Sequence, residues 1–600
     1  MSKSLIKGLP FYLQLFRKYL GNKIYFAVIL NSFATLAEGF GIALIIPFLE
    51  TLDKDLPQEN LTGISAFFEK FLIFFNLPTN SNFILVLIAI AFIIKGILSF
   101  GAVGTIAYLL GKLLEKLKNS LVLSYSELNY LYYSKEDTGH FINIVNEQPD
   151  RVLLAFNFLN QVIAKIISNI GYLIILLFIS WQFCFLTFLV AMISFYTFSY
   201  LNNYVRKLSR KTVIEKSKLS NLLVQSLQTF KYLISTGQTN LLSEFIGNSI
   251  RKLTKFEIKT NVSYAFTESL REPISVLGVL ILMFVQITYF KQSLSSVLVS
   301  ILLIYRAYSS IFGIQSRWQK VLTYIGSLEI IDKEIKSISR NKEINGEISL
   351  KDIKESIRFK NVSFSYGSGL KTIQNVNLVI PAKKTIAFVG ESGSGKTTMA
   401  DLISLILRPN SGEICIDNIS SRDINLNDWR RNIGYISQEN VMFDDTIANN
   451  ICLWSGNIYD DQLMKKIKIS AEKASLHQFI ESLPNGYNTY VGDRGIRLSG
   501  GQRQRVFIAR ELFREPKLLI LDEATSALDS NMEAYVQSSI DKLRGKITIL
   551  IIAHRLSTIK NTDKVFVFDK GRLIEEGSYL SLSKNSSSKF FELLSKQINS

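Results

Sequence analysis

Gly390-Glu391-Ser392-Gly393-Ser394-Gly395-Lys396-Thr397-Thr398 is the stretch that decides the fold of this 600-residue chain. It follows an apolar run, Thr385 to Val389, with the length of a buried strand, and it precedes a run whose apolar spacing predicts a helix. Between a strand and a helix, such glycines let backbone N–H groups close around phosphate oxygens, and the helix N-terminus points its positive end at them. The alternative is a glycine-rich turn that matches the pattern by coincidence.

The residues of this loop have distinct predicted roles. Lys396 is expected to bridge the β- and γ-phosphates of a nucleoside triphosphate, and the Thr397 hydroxyl is expected to bind Mg²⁺. The other predicted contacts to the nucleotide come from Gly390, Ser392, Gly393, Ser394, Gly395 and Thr398. The sequence therefore predicts a bound nucleoside triphosphate together with Mg²⁺.

Further candidates stand at the ends of strand-like runs in the same half of the chain. Asp522 and Glu523 end an apolar run, where Asp522 would hold Mg²⁺ through its water and Glu523 would act as general base on the attacking water. Gln438 could bind Mg²⁺ or position that water. His554 could contact the γ-phosphate and Tyr366 could stack on adenine, although a single strand-end histidine is usually structural and a tyrosine there is usually a surface residue.

A second anion site is predicted at Leu498-Ser499-Gly500-Gly501-Gln502-Arg503-Gln504-Arg505. Ser499 and the two glycines open a helix, and a helix N-terminus attracts anions. We expect the contacts to come from Ser499, Gly500, Gly501 and Gln502. Because one domain holds one triphosphate, this site is expected to serve the nucleotide of a partner.

The first half of the chain carries the apolar excess of a composition that is 48% hydrophobic. Runs long enough to cross a bilayer lie near residues 24–49, 83–111, 153–179, 182–204, 262–290 and 294–314, which predicts six spans. Spans two to five are expected to continue as helices outside the membrane, with reversals near Gly139 and residues 208–220. An aromatic stretch at 64–75 is too short to span and is expected at the outer interface.

These features predict a multi-domain chain: an all-α polytopic membrane domain of six transmembrane helices plus a cytoplasmic α/β P-loop ATPase domain. The expected boundaries are an interfacial N-terminal helix at 1–22, the membrane domain at 23–316, a polar linker at 317–349 and the ATPase domain at 350–600. An odd, scattered set of three cysteines indicates no disulfide framework.

The formal net charge of +18 favours a membrane surface over nucleic acid because of where the charge lies. Lysines and arginines concentrate in the N-terminal segment and in the link between spans four and five, which places those parts and the ATPase domain in the cytoplasm. No nucleic-acid partner is expected. The predicted location is the cytoplasmic (inner) membrane, crossed several times.

Charged residues inside the predicted spans are candidates for a substrate site. Counting from the outer ends of the spans places Glu38, Lys95 and Arg306 at one depth, with Lys165 slightly deeper and Arg271 lower, just before a proline. The structural alternative pairs Glu38 with Lys95, and Arg271 with a neighbouring glutamate. Even with Glu38 paired to Lys95, no acid of this belt remains for Lys165 and Arg306, and the cationic surplus would suit an anionic substrate group.

From about residue 357 to 582 the chain resembles the ATPase domain of ABC transporters. The matching motifs occur in the family's order: the A-loop Tyr366, the Walker A stretch 390–398, the Q-loop Gln438, the signature 498–502, Walker B ending in Asp522 and Glu523, the D-loop 526–529 and the H-loop His554. This resemblance implies ATP as the nucleotide and a head-to-tail dimer in which each subunit's signature completes the partner's site. A homodimer is expected, and a heterodimer is possible.

The membrane half resembles half-transporter exporters, and more narrowly the bacterial lipid-linked oligosaccharide flippases. The narrower resemblance rests on residues 38–48, the aromatic stretch, Thr229 to Tyr232, and Tyr305 with Arg306. It implies ATP-driven flipping of an amphipathic, anionic lipid-linked substrate by alternating access. The alternatives are a multidrug, peptide or other lipid exporter, a membrane-tethered ATPase acting on DNA, and a binding-protein-dependent importer.

Overall fold

The computed structural model describes residues 5–52, 80–179, 181–285, 294–367, 371–437, 441–522, 537–553 and 559–598, together with 70, 72–74, 78 and 369. The chain divides into two compact units, Met1–Leu128 with Ser134–Lys342, and Asn129–Tyr133 with Glu343–Ser600. The first unit is helical, and the second contains strands and helices.

The helices of the first 340 residues include several that are much longer than a bilayer is thick. In chain order they are α1 (Leu5–Leu20), α2 (Lys23–Ala43), α3 (Ile45–Leu52), α4 (Ser81–Ser126), α5 (Tyr130–Tyr133), α6 (Thr138–Ile179), α7 (Trp181–Gln228), α8 (Phe230–Ser235), α9 (Thr239–Ser269), α10 (Arg271–Val285) and α11 (Leu294–Arg340). With 46 and 48 residues, α4 and α7 are each about 70 Å long, against a hydrocarbon core of about 30 Å. This length confirms that the predicted spans continue beyond the membrane.

Three helical segments of the described chain have the length and composition of membrane spans: Lys23–Leu49, Ser81–Ser126 and Thr138–Leu177. The other three predicted spans fall on α7, on α9 with α10, and on α11, so the count of six stays a prediction. The aromatic stretch predicted at 64–75 lies largely outside the described residues.

Two predicted spans are interrupted, and a proline explains each break. The first span ends α2 at Ala43 and resumes as α3, which contains Pro47. The fifth span ends α9 at Ser269 and resumes as α10, which contains Pro273. A proline ring clashes with the carbonyl four residues earlier, and in both cases that carbonyl belongs to the last residue of the preceding helix.

The N-terminal helix α1 packs against protein along one face. Tyr12 and Phe16 are fully buried, with ring centroids 6.2 Å from Trp318 and 4.9 Å from Phe156 respectively. Phe11, Arg17 and other residues of the opposite face are exposed, as an interfacial helix requires. The helix is thus fixed to the long helices α6 and α11.

The predicted linker at 317–349 is wrong for most of its length. Residues 317–340 continue α11, and their apolar side chains enter the core of the first unit, with Trp318, Val321 and Ile331 at most 1% exposed. Most of the charged residues that indicated a linker are partly or fully exposed on this helix, whereas Glu334 is buried. Glu329, for example, is bonded by Arg206 at 2.6 Å and Arg210 at 2.8 Å, both from α7.

The second predicted reversal, at 208–220, is also displaced. Helix α7 is continuous to Gln228, and the chain turns at 229–238 through the short α8. Val205, Leu208 and Val213 are buried at helical spacing, so the polar residues among them do not end the helix. The first reversal, at 127–137, lies close to the predicted Gly139.

The second unit contains two sheets. Its strands are β1 (Ser356–Phe364), β2 (Ile373–Pro381), β3 (Thr385–Val389), β4 (Ser411–Ile416), β5 (Ile419–Ser420), β6 (Ile433–Ile436), β7 (Leu518–Asp522), β8 (Thr548–Ile552), β9 (Lys564–Asp569) and β10 (Arg572–Gly577). One sheet has the antiparallel order β2-β1-β4-β5, and the other has the order β10-β9-β3-β8-β7-β6. Strands β9, β3, β8, β7 and β6 are parallel.

The helices of this unit lie between the strands in sequence. They are α12 (Lys396–Ile403), α13 (Leu426–Arg431), α14 (Ile447–Cys452), α15 (Asp461–Lys473), α16 (His477–Glu481), α17 (Gly500–Phe513), α18 (Tyr579–Lys584) and α19 (Lys589–Ile598). Every residue of β3 and β7 is buried, as expected for parallel strands covered on both faces. Because β3 and β7 run in the same direction on either side of β8, their carboxyl ends meet at one edge of the sheet, where ligands bind in open α/β sheets.

Candidate functional site

The loop between β3 and α12 has a backbone that requires glycine at two positions. At Gly390, a Cβ would lie 2.3 Å from the Phe568 carbonyl oxygen. At Gly395, φ is +100° and a Cβ would lie 2.7 Å from the Ile373 side chain. The loop is therefore a narrow cradle that closes directly onto the first turn of α12.

The polar groups of the cradle suit an anionic ligand. The Lys396 ammonium donates to the carbonyl oxygens of Gly390 at 3.0 Å and Glu391 at 2.9 Å, which holds it across the loop. Ser394 Oγ is buried and has no hydrogen-bond partner among the described residues. A phosphate oxygen would supply that missing partner, so the residues present fit the phosphates of a nucleotide.

Two threonines and a tyrosine border this cradle. Thr397 is exposed at the start of α12, where its hydroxyl is accessible to a metal ion. Thr398 is buried and its hydroxyl lies 3.2 Å from the Tyr366 hydroxyl. The structure therefore places the predicted adenine-stacking residue beside the phosphate loop, with its ring 43% exposed.

Asp522 lies at the end of β7 and is buried, on the sheet edge that carries the cradle. This is the position that the sequence predicted for the Mg²⁺-binding carboxylate. The three predicted catalytic residues, Gln438, Glu523 and His554, lie outside the described residues, as does the D-loop 526–529.

Asp401 and Tyr435 are a pair that the sequence patterns did not single out. The Tyr435 hydroxyl of β6 donates to Asp401 Oδ1 of α12 at 3.3 Å, which ties the helix after the cradle to the strand that precedes Gln438. Burial raises the pKa of Asp401 from its ordinary value of 3.8 to about 6, and the nearby charge of Asp522 adds to this. The sequence feature that could have revealed this pair is Asp401 itself, a charged residue on the inner face of α12.

The signature segment forms a capped helix. Ser499 Oγ accepts from Gln502 N at 3.3 Å, and Ser499 N donates to Gln502 Oε1 at 2.8 Å, which is a capping box at the start of α17. Ser499 is exposed and Gly500 has open space around its Cα. The helix thus presents an accessible N-terminus, while the Gln502 side chain is committed to the cap.

In the membrane unit, the structure brings three of the predicted charged residues together. Glu38 is 8% exposed and its carboxylate binds Lys95 at 2.9 Å and also the Arg306 guanidinium. The Tyr172 hydroxyl donates to the same carboxylate at 3.1 Å. The expectation that Arg306 has no acidic partner is therefore wrong, because both cations share one carboxylate. We call Glu38, Lys95, Arg306 and Tyr172 the intramembrane cluster.

Arg271 and Lys165 lie apart from this cluster. Arg271 pairs with Glu268 at 3.1 Å and donates to the Ser309 hydroxyl, which matches the structural alternative. Lys165 lies against Gly313, as does Arg317. The cations of this region thus outnumber its acids even after the pairs are formed.

The cradle, the parallel sheet and the helical membrane unit define a class: membrane proteins that carry a P-loop ATPase domain. Residues 373–526 match the ABC transporter family, and residues 23–315 match the ABC transporter transmembrane region. The chain belongs to the ABC transporter family, and it is an exporter half-transporter that binds ATP and couples its hydrolysis to transport.

Relatives at about 30% identity span most of the chain. The heterocyst differentiation ATP-binding protein HepA of Nostoc sp. is 30% identical over 93% of this chain and 91% of its own length. An ATP-dependent lipid A-core flippase of Vibrio vulnificus is 30% identical over 82% and 84% respectively. A bacterial Atm1-family ABC exporter solved with ATP bound shares the fold, with a TM-score of 0.80, 22% identity and coverage of 96% of this chain and 98% of that one.

Proposed function

We propose that this chain is one half of a homodimeric exporter that flips an amphipathic lipid with an anionic, glycan-bearing headgroup outward across the cytoplasmic membrane. A lipid-linked oligosaccharide is the substrate of this class that the sequence resemblance implies. The observation that carries the proposal is the intramembrane cluster, in which two cations share one carboxylate at the depth of the membrane spans.

The nucleotide roles follow from the cradle. Lys396 and the backbone of Gly390, Gly393 and Gly395 hold the β- and γ-phosphates, and the first turn of α12 adds its positive end. Thr397 and Asp522 would hold Mg²⁺, with Asp522 acting through a bound water. When bound, Mg²⁺ neutralises charge on the phosphates. Gln438, Glu523 and His554 position and activate the attacking water, as predicted from the sequence.

The geometry of the signature helix supports the second copy. The N-terminus of α17 is exposed and favours an anion. The one triphosphate of the same chain is bound at the cradle, so the anion at α17 is expected to come from a second copy. In the proposed dimer, Ser499, Gly500 and Gly501 of each subunit face the γ-phosphate held by the other. A heterodimer would use the same contacts.

The substrate assignment follows from charge and depth. A carboxylate with one cation would be neutral, so the second cation leaves a positive charge that must be balanced in a low-dielectric region. Lys95 and Arg306 keep 31% and 36% of their side chains exposed, so an anionic group can reach them without breaking the pair. Lys165 adds a further cation in the same unit, whereas the charge of Arg271 is balanced by Glu268. A phosphate-containing headgroup satisfies these requirements.

Reconstitution into liposomes tests the proposal. A lipid-linked oligosaccharide is expected to stimulate ATP hydrolysis by the wild-type protein, with Glu523→Gln as the inactive control. Arg306→Gln is expected to raise the substrate concentration for half-maximal stimulation while leaving basal hydrolysis in place. Strong stimulation by a peptide or drug, with none by the glycolipid, would assign a different export substrate.

A further inference from the structure

A second cationic surface lies outside the transport and nucleotide sites, where α1, α2 and α4 meet. Arg17, Lys18, Lys23, Lys112 and Lys116 are all exposed there, and we call them the junction patch. Glu115 pairs with Lys112 at 2.7 Å, and Asp332 of α11 lies near Tyr19 at the end of α1. Five exposed cations therefore outnumber the carboxylates that the structure describes near them.

The helix geometry directs these side chains outward. Tyr108, Lys112 and Lys116 recur every four residues and form one stripe on α4. The neighbouring stripe, which contains Leu113 and Leu117, is fully buried in the core of the membrane unit. The patch is therefore on the outer wall of the helix bundle, on a different face from the residues that pack inward.

Three side-chain contacts join the three helices into one surface. The Lys116 ammonium donates to the Tyr19 carbonyl oxygen at 2.9 Å, at the C-terminus of α1. Lys23 lies 5.9 Å from the ring centroid of Tyr108, and Arg17 lies 5.8 Å from that of Tyr25. Cation–π contacts at this distance keep the charged ends beside aromatic rings that are themselves half exposed.

The position along α2 sets the level of the patch relative to the bilayer. Directly after Lys23, the exposed face of α2 becomes apolar, with Phe26, Ile29 and Phe33 between 50% and 56% exposed. Basic and aromatic residues at the edge of such an apolar surface are typical of the headgroup level of a membrane.

We propose that the junction patch binds the phosphate of an anionic phospholipid, whose acyl chains lie along Phe26 and Ile29. The charge of the patch complements a phosphodiester, and the apolar face complements its chains. This site is separate from the proposed substrate site, since it lies on the outer wall and uses none of the intramembrane cluster. Its lipid would hold α1 against α2 and α4.

Native mass spectrometry of the full-length protein titrated with phosphatidylglycerol or phosphatidylcholine tests this site. The wild-type protein is expected to prefer phosphatidylglycerol. Lys23→Gln combined with Lys112→Gln is expected to lower that affinity on the order of thirtyfold. Each basic residue at an anionic surface contributes about 1 kcal/mol, and every 1.4 kcal/mol changes the affinity about tenfold. Lys252→Gln with Lys255→Gln, the same charge change on exposed residues of α9, is the matched control and is expected to retain the preference.

Two results would overturn the proposal: unchanged phosphatidylglycerol affinity in the patch variant, or an equal loss in the α9 control, which would show a general charge effect. Lys23→Arg with Lys112→Arg is expected to retain binding and shows that charge, not folding, is measured. If the glutamine double variant does not fold, the salt dependence of phosphatidylglycerol binding by the wild-type protein tests the proposal instead. Binding that does not weaken with added salt contradicts a phosphate contact. Transport of the proposed substrate is measured separately, so either proposal can fail alone.

Discussion

Replacing Glu38 by glutamine should destabilise the membrane unit strongly. The carboxylate is 8% exposed and binds Lys95 at 2.9 Å, the Arg306 guanidinium and the Tyr172 hydroxyl at 3.1 Å. Removing one partner of a buried ion pair costs about 3–5 kcal/mol, because the remaining charge is left uncompensated. Since both cations are about one third exposed, we expect the lower end, about 3 kcal/mol, despite the amide's ability to accept the tyrosine hydrogen bond.

Thermal unfolding of the full-length protein in detergent, followed by tryptophan fluorescence, measures this effect. The expected result for Glu38→Gln is a fall in Tm of at least about 5 °C. Glu115→Gln is the control, since it removes a carboxylate from an exposed ion pair on α4 and should leave Tm unchanged. Adding Lys95→Met to Glu38→Gln should recover part of the loss, because one uncompensated cation is then removed.

The result that refutes this reasoning is a Tm for Glu38→Gln that equals the wild-type value within error. In that case the charges of the cluster are compensated by water, and their pairing contributes little. A loss of Tm with Glu38→Gln that Lys95→Met makes larger would instead show that the lysine stabilises the unit through packing alone.

Three further changes test the ATPase unit. Gly395→Ala should lower ATP affinity at least about tenfold in a fluorescent-nucleotide titration, because the backbone is at φ +100° and the new Cβ would lie 2.7 Å from Ile373. Normal ATP affinity would show that this loop is not the nucleotide site. Asp401→Asn should raise Tm at neutral pH by an amount worth at most about 3 kcal/mol, because burial raises the pKa of Asp401 to about 6. The cost of ionising Asp401 is full above that pKa and disappears only as pH falls toward 3.8, so the gap between wild type and variant should shrink by about half between pH 7.5 and 5, and a constant gap would contradict the assignment. Ser499→Ala and Ser499→Asn should both abolish most ATP hydrolysis, but only Ser499→Ala should lose the helix cap, worth about 1 kcal/mol of stability. Full hydrolysis by either variant would contradict the proposed contact of Ser499 with the partner's nucleotide.

The sequence was most informative where local geometry and chemistry coincide. The strand at Thr385–Val389, the helix that begins at Lys396 and the strand that ends at Asp522 were predicted from short patterns, and the structure confirms them. These patterns succeed because a phosphate cradle requires glycine at fixed positions, and because buried parallel strands consist of continuous apolar residues.

Depth counting also succeeded in part. It placed Glu38, Lys95 and Arg306 at one level, and the structure confirms that they are in contact. The pairing of Glu38 with Lys95, the structural alternative, is also confirmed. The additional contact with Arg306 was not predictable, since Glu38 and Arg306 are 268 residues apart in the chain and the number of cations that share a carboxylate depends on packing. The same limit applies to the contact between Asp401 and Tyr435.

The linker between the two halves was misread for a physical reason. A long helix with one face in the core and one face in water has the average composition of a polar linker. Its apolar residues must be read at helical spacing, as Trp318, Val321 and Ile325 show.

The continuity of α11 has a mechanical consequence. This one helix carries Arg306 of the intramembrane cluster and, 28 residues later, Glu334, which binds the Tyr125 hydroxyl at 3.4 Å and His140 at 3.3 Å. The two positions are about 42 Å apart along the axis, so a tilt of about 5° at one displaces the other by about 4 Å. Because the helix is continuous, binding at Arg306 can shift Glu334 and the residues that contact it.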